Sequence, residues 1–439
     1  MVEIAEVRIW GHLVGVIAMD ESRKVTNFEY NPDFVKKGYD LSPLVMPIKK
    51  GVYSFPSLNK ETYKGLPGML ADSLPDKFGN AVINAWLAKQ GRNIESFSPI
   101  ERLCYVGTRG MGALEFQPAV DSKVNQSISL DIAKLAELAQ NILNQKEQLT
   151  TNLEASEDSM LDIIRVATSA GGARAKAVIA FNDKTKEVRS GQVEAPDKFS
   201  YWLLKFDGIK EKGFGAPAGY GRIEYAYYKM ANDCGINMSE CRLLEENGRA
   251  HFLTKRFDRL DGKTKIHMQS LCAIAHYDYN QPLSYSYEQA FQAMRKLRLP
   301  YTHAEQFYRR MIFNVVARNQ DDHTKNISFL FDPSKGWRLS PAYDMTYSYN
   351  PKSFWTGQHQ MSVNGKRDNI SLNDLLTVGK QMSIKKPSQI VEQIVESISK
   401  WPSFAKGANV APKQIDLIGK THRLELQPAK IYAAQKGGY

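Results

Sequence analysis

An aspartate, an asparagine and a second aspartate fall in this chain at the spacing that phosphoryl transfer requires. The segment Asn319-Gln-Asp321-Asp322-His323-Thr-Lys325-Asn326 is followed by Pro341-Ala-Tyr343-Asp344. In phosphoryl-transfer enzymes of the kinase type, the catalytic loop carries an Asp as base and, five residues later, an Asn that holds a metal ion. Asp321 and Asn326 have that separation, and Asp344 stands where a second metal-binding Asp belongs. Between them, residues 327–331 and 337–339 read as two short strands joined by the turn Asp332-Pro-Ser-Lys-Gly336. The three polar residues then converge at one end of a hairpin.

The residue types suit the chemistry. Magnesium is a hard cation that prefers oxygen ligands, and Asn326 and Asp344 supply them. Asp321 is left to orient the attacking hydroxyl. Lys325 adds positive charge beside the transferred group, and His323 is read as holding the loop. A polar string of this kind is equally compatible with a solvated turn. The apolar helix before it, at 307–316, and the apolar strand after it favour the chemical reading. A metal-dependent phosphohydrolase built on Asp321, Asp322 and His323 competes, although no second histidine lies at ligand spacing.

A matching half lies upstream. Ser169-Ala170-Gly171-Gly172-Ala-Arg174-Ala-Lys176 precedes an apolar strand. Its glycines allow close backbone approach to phosphates, and Arg174 and Lys176 supply charge. It is not a Walker A loop, because the glycine spacing differs and no Ser or Thr follows Lys176. Lys205 is the one lysine in the apolar run 201–206. Such a lysine is either an edge-strand gatekeeper or the residue that grips the α- and β-phosphates. Residues 251–259 read as a strand entering a hinge. Adenine would meet the backbone around Lys255 and Phe257, and Asp258 would reach the ribose. Glu224, at the start of a helix over 223–233, is a candidate partner for Lys205.

These segments together resemble the HipA family of bacterial serine/threonine kinase toxins. The resemblance runs from the amino-terminal region to about residue 350, and is most specific at 319–330 and 339–344. It implies a phosphate-binding loop at 169–176 with Ser169 autophosphorylated, and Lys205 as the ATP-gripping lysine. It implies Asp321 as base and Asn326 and Asp344 as magnesium ligands. Ala170, Gly171, Gly172, Arg174, Lys176, Lys255, Phe257, Asp258, His323, Lys325 and Tyr343 complete the expected ATP site. Lys255 departs from the family's usual Glu at the start of the hinge. The resemblance also implies a HipB-like helix-turn-helix antitoxin, operator DNA bound through it, and an aminoacyl-tRNA synthetase, glutamyl-tRNA synthetase, as protein substrate.

Composition excludes little. The chain has 439 residues, 43% hydrophobic and 24% charged, with net charge +11. That charge suits nucleic acid, ATP or an acidic partner, or simply a solvated basic surface. No apolar run is long enough to span a bilayer and no signal peptide is evident. Cys104, Cys234, Cys241 and Cys272 form no metal pattern, so reduced thiols and a cytoplasmic location are expected. The expected fold is α+β and two-lobed, protein-kinase-like, strand-rich first and helical later. Its expected parts are an α+β subdomain at 1–118, a linker and helix at 119–150, the strand-rich lobe at 151–260 and the helical lobe at 261–439. Periodicity predicts one helix over 65–90, a helix capped by Ser129, and mainly strands over 160–206. A lipid or small-molecule kinase, and a catalytically weak corepressor, are the alternative functions.

Overall fold

A computed structural model describes residues 2–20, 22–93, 96–119, 127–148, 157–164, 166, 174–209, 219–260 and 264–426. The chain begins with β1 (Ile4–Ile9), β2 (His12–Asp20), β3 (Val25–Tyr30) and β4 (Val52–Ser54), joined later by β5 (Leu114–Gln117). They form an antiparallel sheet in the order β4-β3-β2-β1-β5. Alternation in β1 buries Ala5, Val7 and Ile9. Trp10 and Gly11 turn the first hairpin, both at positive φ, as a two-residue loop with the strands' own twist demands. Trp10 accepts the unfavourable backbone because its indole N–H donates to Lys265 O at 2.8 Å.

The helix expected over 65–90 is two pieces, Gly68–Ala71 and Lys77–Lys89, with a further short helix, Lys60–Tyr63, ahead of them. Pro67 and Pro75 cannot continue a helix. Asp76 restarts it, accepting the Gly79 N–H at 2.6 Å. The spacing still marked the buried residues, because Leu70, Leu74, Phe78, Val82 and Trp86 are all buried. The helix Ile132–Gln148 is capped by Asp131, which accepts from the Ala133 and Lys134 amides. Ser129 instead forms a bridge to Arg189. The 160–206 stretch opens with a helix, Glu157–Ile164, rather than a strand.

The second sheet contains β6 (Lys176–Phe181), β7 (Val188–Ser190), β8 (Ser200–Lys205), β9 (Cys241–Glu246) and β10 (Arg249–Lys255), in the order β7-β6-β8-β10-β9. Helix Tyr220–Asp233 packs on its β9 and β10 side. Helices dominate the remainder. A three-stranded sheet of His267–Ser270, Ser328–Asp332 and Gly336–Leu339 interrupts them, one strand more than the expected hairpin. Three apolar clusters hold these parts. One fills the helical lobe and the underside of helix Tyr220–Asp233. One joins helices Lys77–Lys89 and Ile132–Gln148 to the second sheet. One backs the first sheet and takes in Cys272 and Phe331. The resulting chain is a two-lobed α+β fold of kinase-like architecture. No helix among the described residues is long and apolar enough to cross a membrane. All four cysteines are buried and none is in a disulfide.

Candidate active site

Lys205 lies at the end of the central strand of its sheet, hydrogen-bonded on both sides by β6 and β10. That position rules out an edge-strand gatekeeper. Its Nζ donates to Glu224 Oε1 at 2.6 Å and also to Asp344 Oδ1. The expected Lys205–Glu224 pair therefore exists, and the same ammonium group touches the second predicted metal ligand. Burial alone would lower the Lys205 pKa, but the two carboxylates outweigh it and hold the group above its ordinary value. Burial likewise opposes ionisation of Asp344, yet Lys205 and Lys176 keep its carboxyl well below the usual range. Asp344 stands at φ +55°, a left-handed backbone conformation that a non-glycine residue rarely adopts. Ordinary extended backbone would aim this carboxylate elsewhere.

The loop from Asn319 to Asn326 follows helix Tyr301–Val316 and ends in a 3-10 turn, Thr324–Asn326. Thr324 Oγ1 donates to Tyr277 O at 2.6 Å. The Asn326 side-chain N–H₂ donates to Asp321 O at 3.0 Å, which turns its Oδ1 away as an available acceptor. Asp321 keeps 45% side-chain exposure, with His323 Nε2 3.7 Å from its Oδ1. Crowding away from solvent raises the Asp321 pKa; His323 opposes this, and the charges of Asp344 and Asp322 add to it. His323 also lies against Tyr279, ring centroids 5.5 Å apart.

Asp322 is different. It is buried, and its Oδ2 accepts from Tyr287 Oη and from His359 Nδ1, both at 2.8 Å. Its Oδ1 accepts the Gln360 N–H at 2.7 Å. Both oxygens are engaged by the fold, which disfavours a phosphohydrolase centre on Asp321, Asp322 and His323. Asn314 Nδ2 donates to Tyr287 Oη, and Asn319 Nδ2 to Asn314 Oδ1, each at 2.9 Å. This polar chain anchors the loop from beneath.

Tyr343 ties the hairpin to the loop: its hydroxyl donates to Lys325 O at 2.8 Å and lies 2.5 Å from Ser328 Oγ. Its ring faces Phe257 at 5.6 Å. Lys325 Nζ lies 3.9 Å from Asp72 Oδ1 and over the Tyr279 ring. Lys176 is buried and its Nζ lies 3.3 Å from Asp76 Oδ2. Arg174 stacks on Tyr220, 3.7 Å from the ring centroid. Ser169, Ala170, Gly171 and Gly172 lie outside the described residues.

Within the expected hinge, the ribose role of Asp258 needs correction. Asp258 is fully buried and accepts from Arg256, Arg259 and the Gly112 amide at 2.7 to 2.9 Å. It is bound to Gly112, which lies just before β5, so it cannot reach a ribose. Lys255 keeps its side chain out, 3.3 Å from Glu240 Oε2. The Lys255 and Arg256 amides are already given to Glu240 O and Tyr201 O, so neither can serve adenine.

A hard cation fits what remains. Asp344 and the Asn326 oxygen are oxygen donors on facing segments, and a site of one carboxylate and one amide suits magnesium, which keeps waters and substrate phosphates as its other ligands. Asp72, Asp76 and His359 are the neighbours that sequence reasoning missed. None carries a local signal, since each comes from a segment remote in sequence from the loop it supports.

Comparison with known proteins identifies the family and the fold. Residues 168–402 match the family described as HipA-like C-terminal domain, and residues 5–117 match the HipA N-terminal domain. A solved structure of the Shewanella oneidensis toxin–antitoxin system HipA, HipB and operator DNA complex superposes with a TM-score of 0.64. It covers 95% of this chain and 94% of its own at 16% identity. The Helicobacter pylori proinflammatory kinase CtkA aligns with 50% of this chain and 90% of its own, TM-score 0.33 and identity 14%. A curated relative from Sinorhizobium fredii, "Putative kinase Y4mE", is 27% identical over 126 residues. That stretch is 27% of this chain and only 30% of the relative's length. With the larger family match covering more than half of its residues and the smaller one filling the first sheet's subdomain, the chain belongs to the HipA family.

Proposed function

We propose that the chain is an ATP- and magnesium-dependent serine/threonine protein kinase, the toxin of a toxin–antitoxin pair. The observation that supports this most is the contact of one lysine, Lys205, with both Glu224 and Asp344, beside a loop that exposes Asp321 and Asn326. Asp321 orients the Ser or Thr hydroxyl and accepts its proton. Desolvation and the nearby Asp344 and Asp322 charges raise its pKa, which makes it a stronger proton acceptor than an isolated carboxylate. Lys205 grips the phosphates, its geometry fixed by Glu224. Asn326 and Asp344 would hold magnesium, which when bound would supply positive charge to the phosphates. Asp322 and His359 keep the loop in register without touching substrate.

The family and the fold shared with the Shewanella complex support a HipB-like antitoxin as partner, with operator DNA bound through its helix-turn-helix and the operon autorepressed. Family resemblance supports glutamyl-tRNA synthetase as protein substrate and Ser169 as the autophosphorylated residue. Incubating the purified chain with ATP and magnesium, followed by mass spectrometry, tests the activity. Phosphoserine or phosphothreonine on the chain or on the synthetase is expected. ATP hydrolysis without any phosphoprotein, or transfer to lipid alone, overturns the reading.

A further inference from the structure

Two carboxylates from the first sheet's subdomain reach the lysines that flank the proposed nucleotide site. Asp76 caps helix Lys77–Lys89 with Oδ1 and sets Oδ2 3.3 Å from Lys176 Nζ. Both side chains are only 4% exposed. Lys176 opens β6, the strand that leaves the phosphate loop, and lies directly opposite Lys205 in the sheet register. Asp72 follows helix Gly68–Ala71 and accepts from the Ser270 N–H at 2.7 Å and Oγ at 2.8 Å. Its Oδ1 lies 3.9 Å from Lys325 Nζ, on the residue preceding Asn326.

A carboxylate near a polyphosphate site has an electrostatic cost. It is tolerable where it orders a cation that the phosphates use. A buried lysine without a counter-charge is also costly, so the Asp76–Lys176 pair fixes where β6 begins. The two contacts come from one short segment and reach opposite sides of the site: Lys176 on the sheet side, Lys325 on the catalytic loop.

We propose that Asp72 and Asp76 are positioning residues for nucleotide binding, by which the amino-terminal subdomain holds Lys325 and Lys176 in place before the nucleotide arrives. This rests on the kinase reading above. It makes that subdomain part of the catalytic apparatus, because ordering the lysines in advance removes a cost that binding would otherwise carry.

The sign of the effect separates positioning from proximity. If the two acids were bystanders, neutralising them would relieve repulsion and tighten nucleotide binding. If they position the lysines, neutralising them weakens it. The test is a titration of full-length chain with a fluorescent methylanthraniloyl-ATP plus magnesium, for the unaltered chain, Asp72→Asn, Asp76→Asn and Asp72→Glu. Each Asn variant should lose about tenfold in affinity, the equivalent of about 1.4 kcal/mol. Asp72→Glu, which restores the charge, should recover most of it. Asp76→Asn removes a carboxylate from beside buried Lys176 and is read beside its melting temperature. Asp72→Asn keeps an oxygen for Ser270 and decides the matter if the other unfolds. Unchanged or tighter binding by folded Asp72→Asn overturns the proposal alone. No binding by the unaltered chain overturns the kinase reading and the proposal with it.

Discussion

The Asp322 carboxylate sits 2.8 Å from His359 Nδ1, while its neighbour Asp321 turns outward with nearly half of its side chain exposed. Two adjacent acids thus divide the work: one is spent on the fold, the other is free for chemistry. Asp321→Asn should therefore lower phosphoryl transfer by about 10²–10⁴-fold, the usual worth of a general base. ATP binding and melting temperature should stay near those of the unaltered chain. Phosphorylation at an undiminished rate would remove Asp321 from the role.

Asp322 should behave in the opposite way. Asp322→Ala leaves Tyr287, His359 and the Gln360 amide without their acceptor in a buried network. A loss of about 3 kcal/mol or more is expected from denaturant unfolding, since each stranded polar group costs about 1–3 kcal/mol. A variant as stable as the unaltered chain would show that the network does not anchor the loop.

The metal assignment is checked by calorimetry. Asp344→Ala and Asn326→Ala each remove an oxygen donor, so nucleotide affinity should lose its magnesium dependence and turnover should collapse. Unchanged magnesium-linked ATP binding in both variants would show the ligands lie elsewhere. Asp344→Ala has a second effect, because Lys205 then answers only to Glu224.

Stability should also fall in mild acid. His267 is fully buried, with Nε2 3.1 Å from Leu41 O, and burial lowers its pKa from about 6.5 to about 4. Its folded pKa is depressed, so between about pH 6.5 and 4 the unfolded chain takes up a proton that the native chain refuses. The native state then loses about 1.4 kcal/mol per pH unit from this residue, with full stability above that window. Denaturant unfolding at pH 7 and pH 5 should show a smaller acid loss for His267→Gln. An equal loss in both proteins would mean that other groups carry the acid sensitivity.

What the sequence made legible was local. Asp321, Asn326 and Asp344 are linked by a short hairpin, so spacing alone placed them together. The Leu70 to Trp86 periodicity marked burial correctly but not the breaks, because Pro67 and Pro75 outweighed it. Asp258 was misassigned since Arg256, Arg259 and Gly112 surround it only after two distant segments dock. Asp72, Asp76 and His359 gave no signal at all, for their meaning lies in partners that the chain brings together only in the fold. The family resemblance supplied the two-lobed architecture that periodicity could not.

Ser169 lies outside the described residues, and the consequence of phosphorylating it follows from charge alone. Phosphorylation adds roughly −1.5 to −2 charges at pH 7. Beside a bound nucleotide that group would repel the triphosphate. It would be drawn instead to a cation, and Lys325, held above its ordinary pKa chiefly by Asp72 against the effect of burial, remains charged to receive it. ATP affinity should therefore drop on autophosphorylation, and the kinase would limit its own activity. Ser169→Ala should abolish the phosphopeptide spanning residues 167–176. Phosphorylated chain that binds ATP as tightly as the unmodified form would refute self-inactivation, even with Ser169 modified.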